Sequence, residues 1–311
     1  DGQFAGLAEI VDGAQLYGRV QAAALTIAPY SLTDLVMEVT ASDGAVQVPR
    51  LDFGLNGGTA HHTLTMDLTG PEPAVATTID WRGLGADENL RPFFDLVFPN
   101  LFMTGTLDFS AQYQGTWADA TRLTETLEGT STMVVNGGYL VSDPTPESTR
   151  EVFPTLTLSH YAFRRAHIET RTAAGISHND MRFEAPTINL VMRGTTDNGT
   201  REINYVMVVD LVENLGLGGL REAISNKLQS ASQVEIAYVT GTLDDQRIEF
   251  LRPKVVKIKE IMKSLVSLKP IRKFFMEMSA EEKGAYLTGK VGSVLGAALQ
   301  PFRFLQQSLN P

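Results

Sequence analysis

Apolar residues alternate with polar or small residues along much of the first 250 positions of the chain. The clearest runs lie at 51–55, 63–68, 106–113, 187–194 and 203–211. Alternate side chains of a strand point to the same face, so a period of two is typical of a sheet. The pattern predicts a protein made mainly of strands, with one apolar and one polar sheet face.

Short turn sequences separate these runs. They are SDG at 42–44, TGPEP at 69–73, TTDNGT at 195–200, and NGG at both 56–58 and 136–138. Asn-Gly and Asp-Gly pairs accept positive φ and favour two-residue hairpin turns. Because such short connections cannot make parallel crossovers, we predict antiparallel meanders with turns at these five places.

The pentapeptide TGTLD occurs twice, at 104–108 and at 240–244. Together with the two NGG segments, it indicates a repetitive β structure that re-uses the same strand-and-turn sequences.

Three segments show helical spacing of their apolar residues instead. They are 86–101, which contains Pro92 and so predicts a short or broken helix, then 214–231, and finally 253–311. Ser279 and Glu282 have the spacing of a capping box, which predicts a helix start in the last segment.

The composition changes at Pro253. Before this residue the chain is acidic and rich in predicted strands, whereas 254–273 holds seven Lys or Arg residues and the single acidic residue Glu260. We therefore predict a β module at 1–252 and a helical tail at 253–311.

Charge and composition exclude several classes of function. The net charge of −10 argues against nucleic acid as a main partner, because phosphate binding needs a concentrated basic surface. The absence of cysteine excludes disulfides, thiolate zinc sites and a cysteine nucleophile. No uninterrupted apolar run reaches the roughly 20 residues that span a bilayer, so we expect any membrane anchor to lie before Asp1.

Candidate chemistry is sparse. His61 and His62 are adjacent, so on a strand they point to opposite faces and are poorly placed to share a metal ion. Asp80, Asp87 and Glu88 lie near one another in sequence, but a loop before a helix accounts for them. LGLGGL at 215–220 lacks the Lys and the Ser or Thr of a phosphate-binding loop. The sequence thus predicts no metal, no cofactor and no enzymatic activity.

The apolar alternation alone leaves two interpretations open. The face is either the core of a sandwich or closed barrel, or the lining of a strongly curved sheet whose concave side is open.

The order of several longer segments is similar to the C-terminal region of the AsmA-like family of bacterial envelope proteins, which has distant relatives among the bridge-like lipid transfer proteins. The resemblance covers about residues 15–252. It is carried by LDFGLNGGTAHHTLTMDL, IDWRGLGADENLRPFF, FMTGTLDFSAQYQGTW, LEGTSTMVVNGGYLVSD, FEAPTINLVMRGTTDNGTREINYVMVVDL and LREAISNKLQSASQVEIAYVTGTLDDQRIEF. The chain departs from the family at Gln246, where Pro is frequent, and in its longer helical tail.

The resemblance implies a long, bent antiparallel sheet, or β-groove, with an apolar trough and short helices at its ends. It implies a periplasmic location, inner-membrane attachment through a segment before Asp1, and a part in phospholipid trafficking or outer-membrane homeostasis. The expected ligand is a phospholipid or another acyl-chain molecule. The candidates for the groove lining are Leu51, Phe53, Leu55, Leu64, Met66, Leu107, Phe109, Ile188, Leu190, Met192, Tyr205, Met207 and Val209.

The tail mixes aromatic and basic residues in PIRKFFMEM and LQPFRFLQQSL. Such segments suit the membrane interface or, alternatively, a helical cap that covers the end of the trough or an edge strand. The candidates for membrane contact are Arg272, Lys273, Phe274, Phe275, Phe302, Arg303 and Phe304.

A second hypothesis is a structural or assembly protein that joins a larger envelope complex through its sheet edges or its tail. An enzyme, such as a hydrolase on a β scaffold, ranks last because no set of catalytic residues is evident.

Overall fold

The computed structural model describes residues 11, 15–27, 30–86, 101–142, 161–184, 189–210 and 233–250. These residues form one short helix, α1 (Ala120–Thr126), and fourteen strands. The strands are β1 (Leu16–Ile27), β2 (Tyr30–Ser42), β3 (Ala45–Leu55), β4 (Gly58–Asp67), β5 (Ala74–Ala86), β6 (Leu101–Met103), β7 (Gly105–Thr116), β8 (Glu128–Ser142), β9 (Tyr161–Ala173), β10 (Ile176–Glu184), β11 (Leu190–Asp197), β12 (Glu202–Asp210), β13 (Gln233–Thr242) and β14 (Gln246–Phe250).

All fourteen strands belong to a single open, curved sheet. Thirteen of them follow one another in chain order from β1 to β14, each antiparallel to its neighbour, while the short β6 pairs with β8 beside the start of β7. The predictions of a mainly β fold and of an antiparallel meander are confirmed. The strands β1 and β14 form the two edges.

Two-residue turns close three of the hairpins. Asp43 and Gly44 have φ of 50° and 74°, and Asn56 and Gly57 have φ of 48° and 80°. Positive φ at both positions matches the right-handed twist of the flanking strands, which confirms two of the predicted turns. Ala174 and Gly175 make the same turn between β9 and β10 without the Asn-Gly or Asp-Gly signature.

The second NGG segment is not a turn, so that prediction is wrong. Asn136, Gly137 and Gly138 lie inside β8, opposite the break between β6 and β7. Gly137 has a φ of 57°, and a side chain at Gly138 would overlap the carbonyl group of Thr104. The two glycines thus let one long strand bend while Thr104 approaches its backbone.

The two TGTLD copies also differ in structure. The first copy opens β7 at Gly105, whereas the second copy closes β13 at Thr242 and continues into the turn before β14. Both place a leucine, Leu107 or Leu243, in the same core cluster. The repeated sequence therefore marks a shared core contact rather than a repeated strand-turn unit.

Bulges interrupt the ladder at several places and add to the curvature of the sheet. One surrounds Pro49 in β3, where the pairing with β4 moves from Val48 to Leu51 and Pro49 is unpaired with either neighbour. Proline has no backbone N–H to donate, so a bulge is where a strand tolerates it. A second bulge in β5 lies between Trp81 and Leu84.

The helix α1 was not predicted. Its N-cap is Asp119, whose side chain accepts a 2.8 Å hydrogen bond from the backbone N–H of Arg122. The helices predicted at 214–231 and 253–311 lie outside the described residues, as do all seven candidates for membrane contact. The helix predicted at 86–101 also lies outside them, except for its two ends, which belong to β5 and β6.

Candidate functional site

One face of the sheet carries an unbroken row of apolar side chains across ten strands. Each residue of the row is directly opposite the next in the strand register, so all of them point to the same side. The row, from β3 to β13, consists of Phe53, Ala60, Trp81, Phe109, Met133, Ile168, Met181, Met192, Met207 and Ala237. We call the side of the sheet that carries it the apolar face.

A second apolar row lies beside the first. It crosses six strands from β5 to β11 and is deeply buried, since Leu107, Val135 and Ala166 are each 0% exposed. The whole row consists of Leu84, Leu107, Val135, Ala166, Phe183 and Leu190.

Burial changes along these rows. In the middle strands the side chains of Phe109, Met133 and Met181 are buried, whereas Phe53, Trp81, Met192 and Met207, nearer the ends, are only partly buried. The apolar face is therefore a packed core over β7 to β10 and more accessible toward β3 and toward β11 and β12.

An aromatic ladder occupies the β3 end of the apolar face. The ring centroids are 5.4 Å apart for Phe53 and His62, 6.0 Å for His62 and Trp81, and 5.3 Å for Trp81 and Phe109. Tilted contacts at these separations add to the stabilisation from burial. The ladder joins four neighbouring strands from β3 to β7 and fixes the orientation of the indole ring.

His62 is the ionisable member of this ladder. Its Nε2 accepts a 2.7 Å hydrogen bond from the indole N–H of Trp81, so the neutral ring carries its proton on Nδ1. Burial, and to a smaller extent the neighbouring His61, lowers the pKa of His62. The apolar face therefore holds an uncharged imidazole at neutral pH. His61 is on the opposite face, where its Nδ1 lies 2.5 Å from Oδ1 of Asp52, as the adjacent positions predict.

Next to the apolar rows, on the same side of the sheet, lies a cluster of uncharged polar residues from β9 to β12. Asn179 donates a 2.7 Å hydrogen bond to the hydroxyl group of Tyr205, which lies 2.6 Å from the hydroxyl of Thr196. Thr170 donates to Oδ1 of Asn179 at 2.7 Å, and Thr172 lies 2.9 Å from Ser177. Burial raises the pKa of Tyr205, against the smaller effect of its two hydrogen bonds.

The opposite face carries ion pairs and is largely polar, although Val191 and Val208, directly opposite each other on it, are 6% and 3% exposed. Asp180 accepts hydrogen bonds from Arg182 at 3.2 Å and from Arg193 at 3.0 Å. Burial alone would raise the pKa of Asp180, but the two guanidinium groups outweigh it and lower the pKa. Ion pairs of this kind contribute little to the folding stability of a protein. The two faces therefore differ chiefly in their side chains, because only the apolar face carries the continuous apolar rows.

The apolar face includes most residues predicted to line a groove. They are Leu51, Phe53, Leu55, Leu64, Met66, Leu107, Phe109, Leu190, Met192, Tyr205 and Met207. Tyr205 belongs to the polar cluster rather than to an apolar row. Ile188 lies outside the described residues. Val209, on β12, is directly opposite Leu190 of β11.

The sequence interpretation missed several residues of the two rows, among them Met133, Ile168, Met181 and Phe183. Charged residues are frequent in β9 and β10, as in ISHNDMRFE of β10, and Met133 lies in the consecutive apolar run MVV of β8, so no alternation was singled out. The sequence also contained a pattern that could have predicted the polar cluster. Thr170, Thr172, Ser177 and Asn179 are spaced by two residues from the apolar residues of β9 and β10, so they belong to the same sheet face.

Within the described part of the chain, no group of three or more potential ligand residues could hold a metal ion, and no helix has the length and hydropathy to cross a bilayer. Comparison with protein-family models gives no match, and comparisons with curated proteins and with solved structures give none either.

Proposed function

We propose that the chain is a non-enzymatic lipid-binding or lipid-transfer module of the bacterial cell envelope, which holds acyl chains against its apolar face. The observation that carries the proposal is the row of ten apolar residues from Phe53 to Ala237, which no charged side chain interrupts. An acyl chain needs an apolar lining of this kind and no catalytic group.

The length of the row suits this ligand. Neighbouring strands lie about 4.8 Å apart, so ten strands extend the row over roughly 43 Å. The hydrocarbon of one bilayer leaflet is about 15 Å deep, half of a core of about 30 Å. The row therefore accommodates more than one acyl chain along its length, and each buried methylene contributes about 0.8 kcal/mol.

Uptake of lipid requires the apolar face to open. Phe109, Met133 and Met181 are buried, so an acyl chain must displace whatever packs on them. The more accessible ends, at Phe53 and Trp81 and at Met192 and Met207, are the places where a chain first makes contact.

The experiment is native mass spectrometry with lipid extraction on protein purified without detergent. We expect bound phospholipid in stoichiometric amounts. Met192→Gln, on the apolar face, should lower the bound fraction, whereas Val206→Gln, on the next strand but opposite Arg193 on the other face, should leave it unchanged. A lipid-free mass, without uptake from labelled vesicles, would refute the proposal.

The cellular setting is part of the same proposal and rests on the resemblance to the AsmA-like family. We place the module in the periplasm, in phospholipid trafficking or outer-membrane homeostasis, with contact to a membrane surface through the C-terminal segment. Fractionation of cells that produce the full-length protein tests this, and recovery in the cytosol contradicts it.

The alternative function is a structural or assembly scaffold that joins a larger envelope complex. The observation that favours it is the exposed edge strand β1. A lipid-free protein that co-purifies with one envelope protein in fixed ratio would support the scaffold instead.

A further inference from the structure

The apolar side of the sheet becomes polar along the strands β8 to β12. Two positions from the row of ten apolar residues, and therefore on the same face, lies a row in which each residue is again directly opposite the next. It consists of Ser131, Thr170, Asn179, Gly194 and Tyr205. One step farther along the strands lies a shorter polar row of Thr172, Ser177 and Thr196. Successive rows on one face are roughly 6.8 Å apart, so apolar and polar side chains share one continuous surface.

None of the side chains in these two polar rows is charged. Tyr205 is 4% exposed, and Asn179, Ser177 and Thr196 are each 8% exposed. The polar cluster is therefore buried like the apolar rows beside it. A charge that is buried without a counter-charge is strongly unfavourable. The position thus disfavours a phosphate group and favours a neutral group that can form hydrogen bonds.

The glycine at position 194 sets the direction of the Tyr205 side chain. The two residues are directly opposite each other on β11 and β12, and a Cβ at Gly194 would lie 2.7 Å from Cδ1 of the Tyr205 ring. The ring therefore lies over β11, as aromatic residues do when they cover a glycine in a sheet. This brings the hydroxyl group of Tyr205 to Thr196, which is also on β11.

The hydrogen bonds of the polar cluster leave one hydrogen without an acceptor. Asn179 uses both of its amide hydrogens, one on the Tyr205 hydroxyl at 2.7 Å and one on the backbone carbonyl of Ser177 at 3.4 Å. Tyr205 and Thr196 each carry one hydroxyl hydrogen, and the 2.6 Å bond between them uses only one of the two. Neither hydroxyl has a further acceptor within the described part of the chain.

A buried donor without an acceptor is unfavourable, so this position favours a ligand that supplies one. An ester joins each acyl chain of a diacyl lipid to glycerol. Its carbonyl oxygen is a neutral acceptor, and it is the polar atom of the lipid that lies nearest to the acyl chain. An acyl chain on the apolar rows therefore brings this oxygen to the adjoining polar rows.

We propose that the polar cluster binds an ester carbonyl of a diacyl lipid through the unpaired hydroxyl hydrogen of Tyr205 or Thr196. The inference rests on the proposed function, since the acyl chains of the same lipid lie on the apolar rows. The phosphate and the rest of the headgroup then extend past Thr196 towards the turn at Ala174, which is exposed to water.

The first test compares two phosphatidylethanolamines with identical chains, one joined to glycerol by esters and the other by ethers, which lack the carbonyl. The protein is incubated with vesicles that contain both lipids in equal amounts, and native mass spectrometry separates the complexes because the lipids differ in mass. We expect the native chain to bind the ester lipid about five-fold more than the ether lipid, as one ordinary hydrogen bond implies. Equal binding would overturn this inference but not the proposed function, whereas binding of neither lipid would contradict both.

The second test locates the preference with two matched double variants. Tyr205→Phe with Thr196→Val removes both hydroxyl groups that can supply the hydrogen, while the aromatic ring still covers the amide of Asn179. Tyr238→Phe with Thr195→Val makes the same changes at the neighbouring strand positions of the opposite face. We expect equal binding of the two lipids for the first variant and an unchanged five-fold ratio for the second.

Circular dichroism checks that both variants fold, and the ratio measured on the native chain does not depend on either of them. A first variant that keeps the native preference for the ester lipid, or a second variant that loses it, would overturn the proposal.

Discussion

The indole N–H of Trp81 on β5 donates a 2.7 Å hydrogen bond to Nε2 of His62 on β4, near the β3 end of the apolar face. An ionisable group in this position links the stability of the sheet to pH. The direction of the link follows from the lowered pKa of His62, whose largest cause is burial.

We predict that the free energy of unfolding decreases as the pH falls below about 6.5, the ordinary pKa of histidine. The unfolded chain binds the proton more readily than the folded chain does, so stability is retained above this pH and lost below it. Urea unfolding at a series of pH values measures the effect. His62→Phe should remove this part of the pH dependence, whereas His178→Gln, at an exposed position, should keep it. Identical pH profiles for native protein and His62→Phe would contradict the prediction.

The polar cluster beside the apolar rows should contribute to stability through Tyr205. Tyr205→Phe leaves the buried amide of Asn179 and the buried hydroxyl of Thr196 each without one partner. Loss of a partner by a buried polar group costs about 1–3 kcal/mol, and urea unfolding should show a decrease of this size.

The matched control for this change is Tyr238→Phe. The Tyr238 hydroxyl donates to Glu235 at 3.1 Å on an exposed part of β13. Its removal should change the free energy of unfolding by no more than about 0.5 kcal/mol. Equal effects of the two changes would mean that the cluster is solvated rather than buried.

The second NGG segment allows a comparison of two neighbouring glycines. A Cβ at Gly138 would overlap the carbonyl of Thr104, whereas a Cβ at Gly137 has open space and meets only the strain of its positive φ. We expect Gly137→Ala to cost about 1–2 kcal/mol, and Gly138→Ala to cost more because Thr104 and β6 must move. Thermal unfolding distinguishes the two. A larger loss for Gly137→Ala would argue against the close approach of Thr104 to β8.

The alternating runs and the turn pairs Asp43-Gly44 and Asn56-Gly57 were enough to predict a mainly antiparallel sheet. Both signals are local, since side-chain direction and positive φ depend on a few neighbouring residues. The second NGG segment failed as a predictor because its conformation depends on Thr104, more than thirty residues earlier in the chain. A contact of that range leaves no local pattern.

The same reasoning explains which part of the candidate site was found. Leu107 and Phe109 lie in a clear alternating run, and the sequence placed them on the apolar face. The alignment of Trp81 with Phe109, and of Met133 with Ile168, depends on the register between strands and on the bulge before Leu84. Register is set by the turns and bulges of the folded sheet, so the continuity of the row became visible only in the structure.

The central claim is that acyl chains contact the apolar face and not the polar face. The most direct measurement is photo-cross-linking in cells, with a benzophenone amino acid in place of Met192 or, as the control, in place of Val206 on the opposite face. The account predicts phospholipid adducts from position 192 and none from position 206. Adducts at neither position, or equally at both, would contradict it.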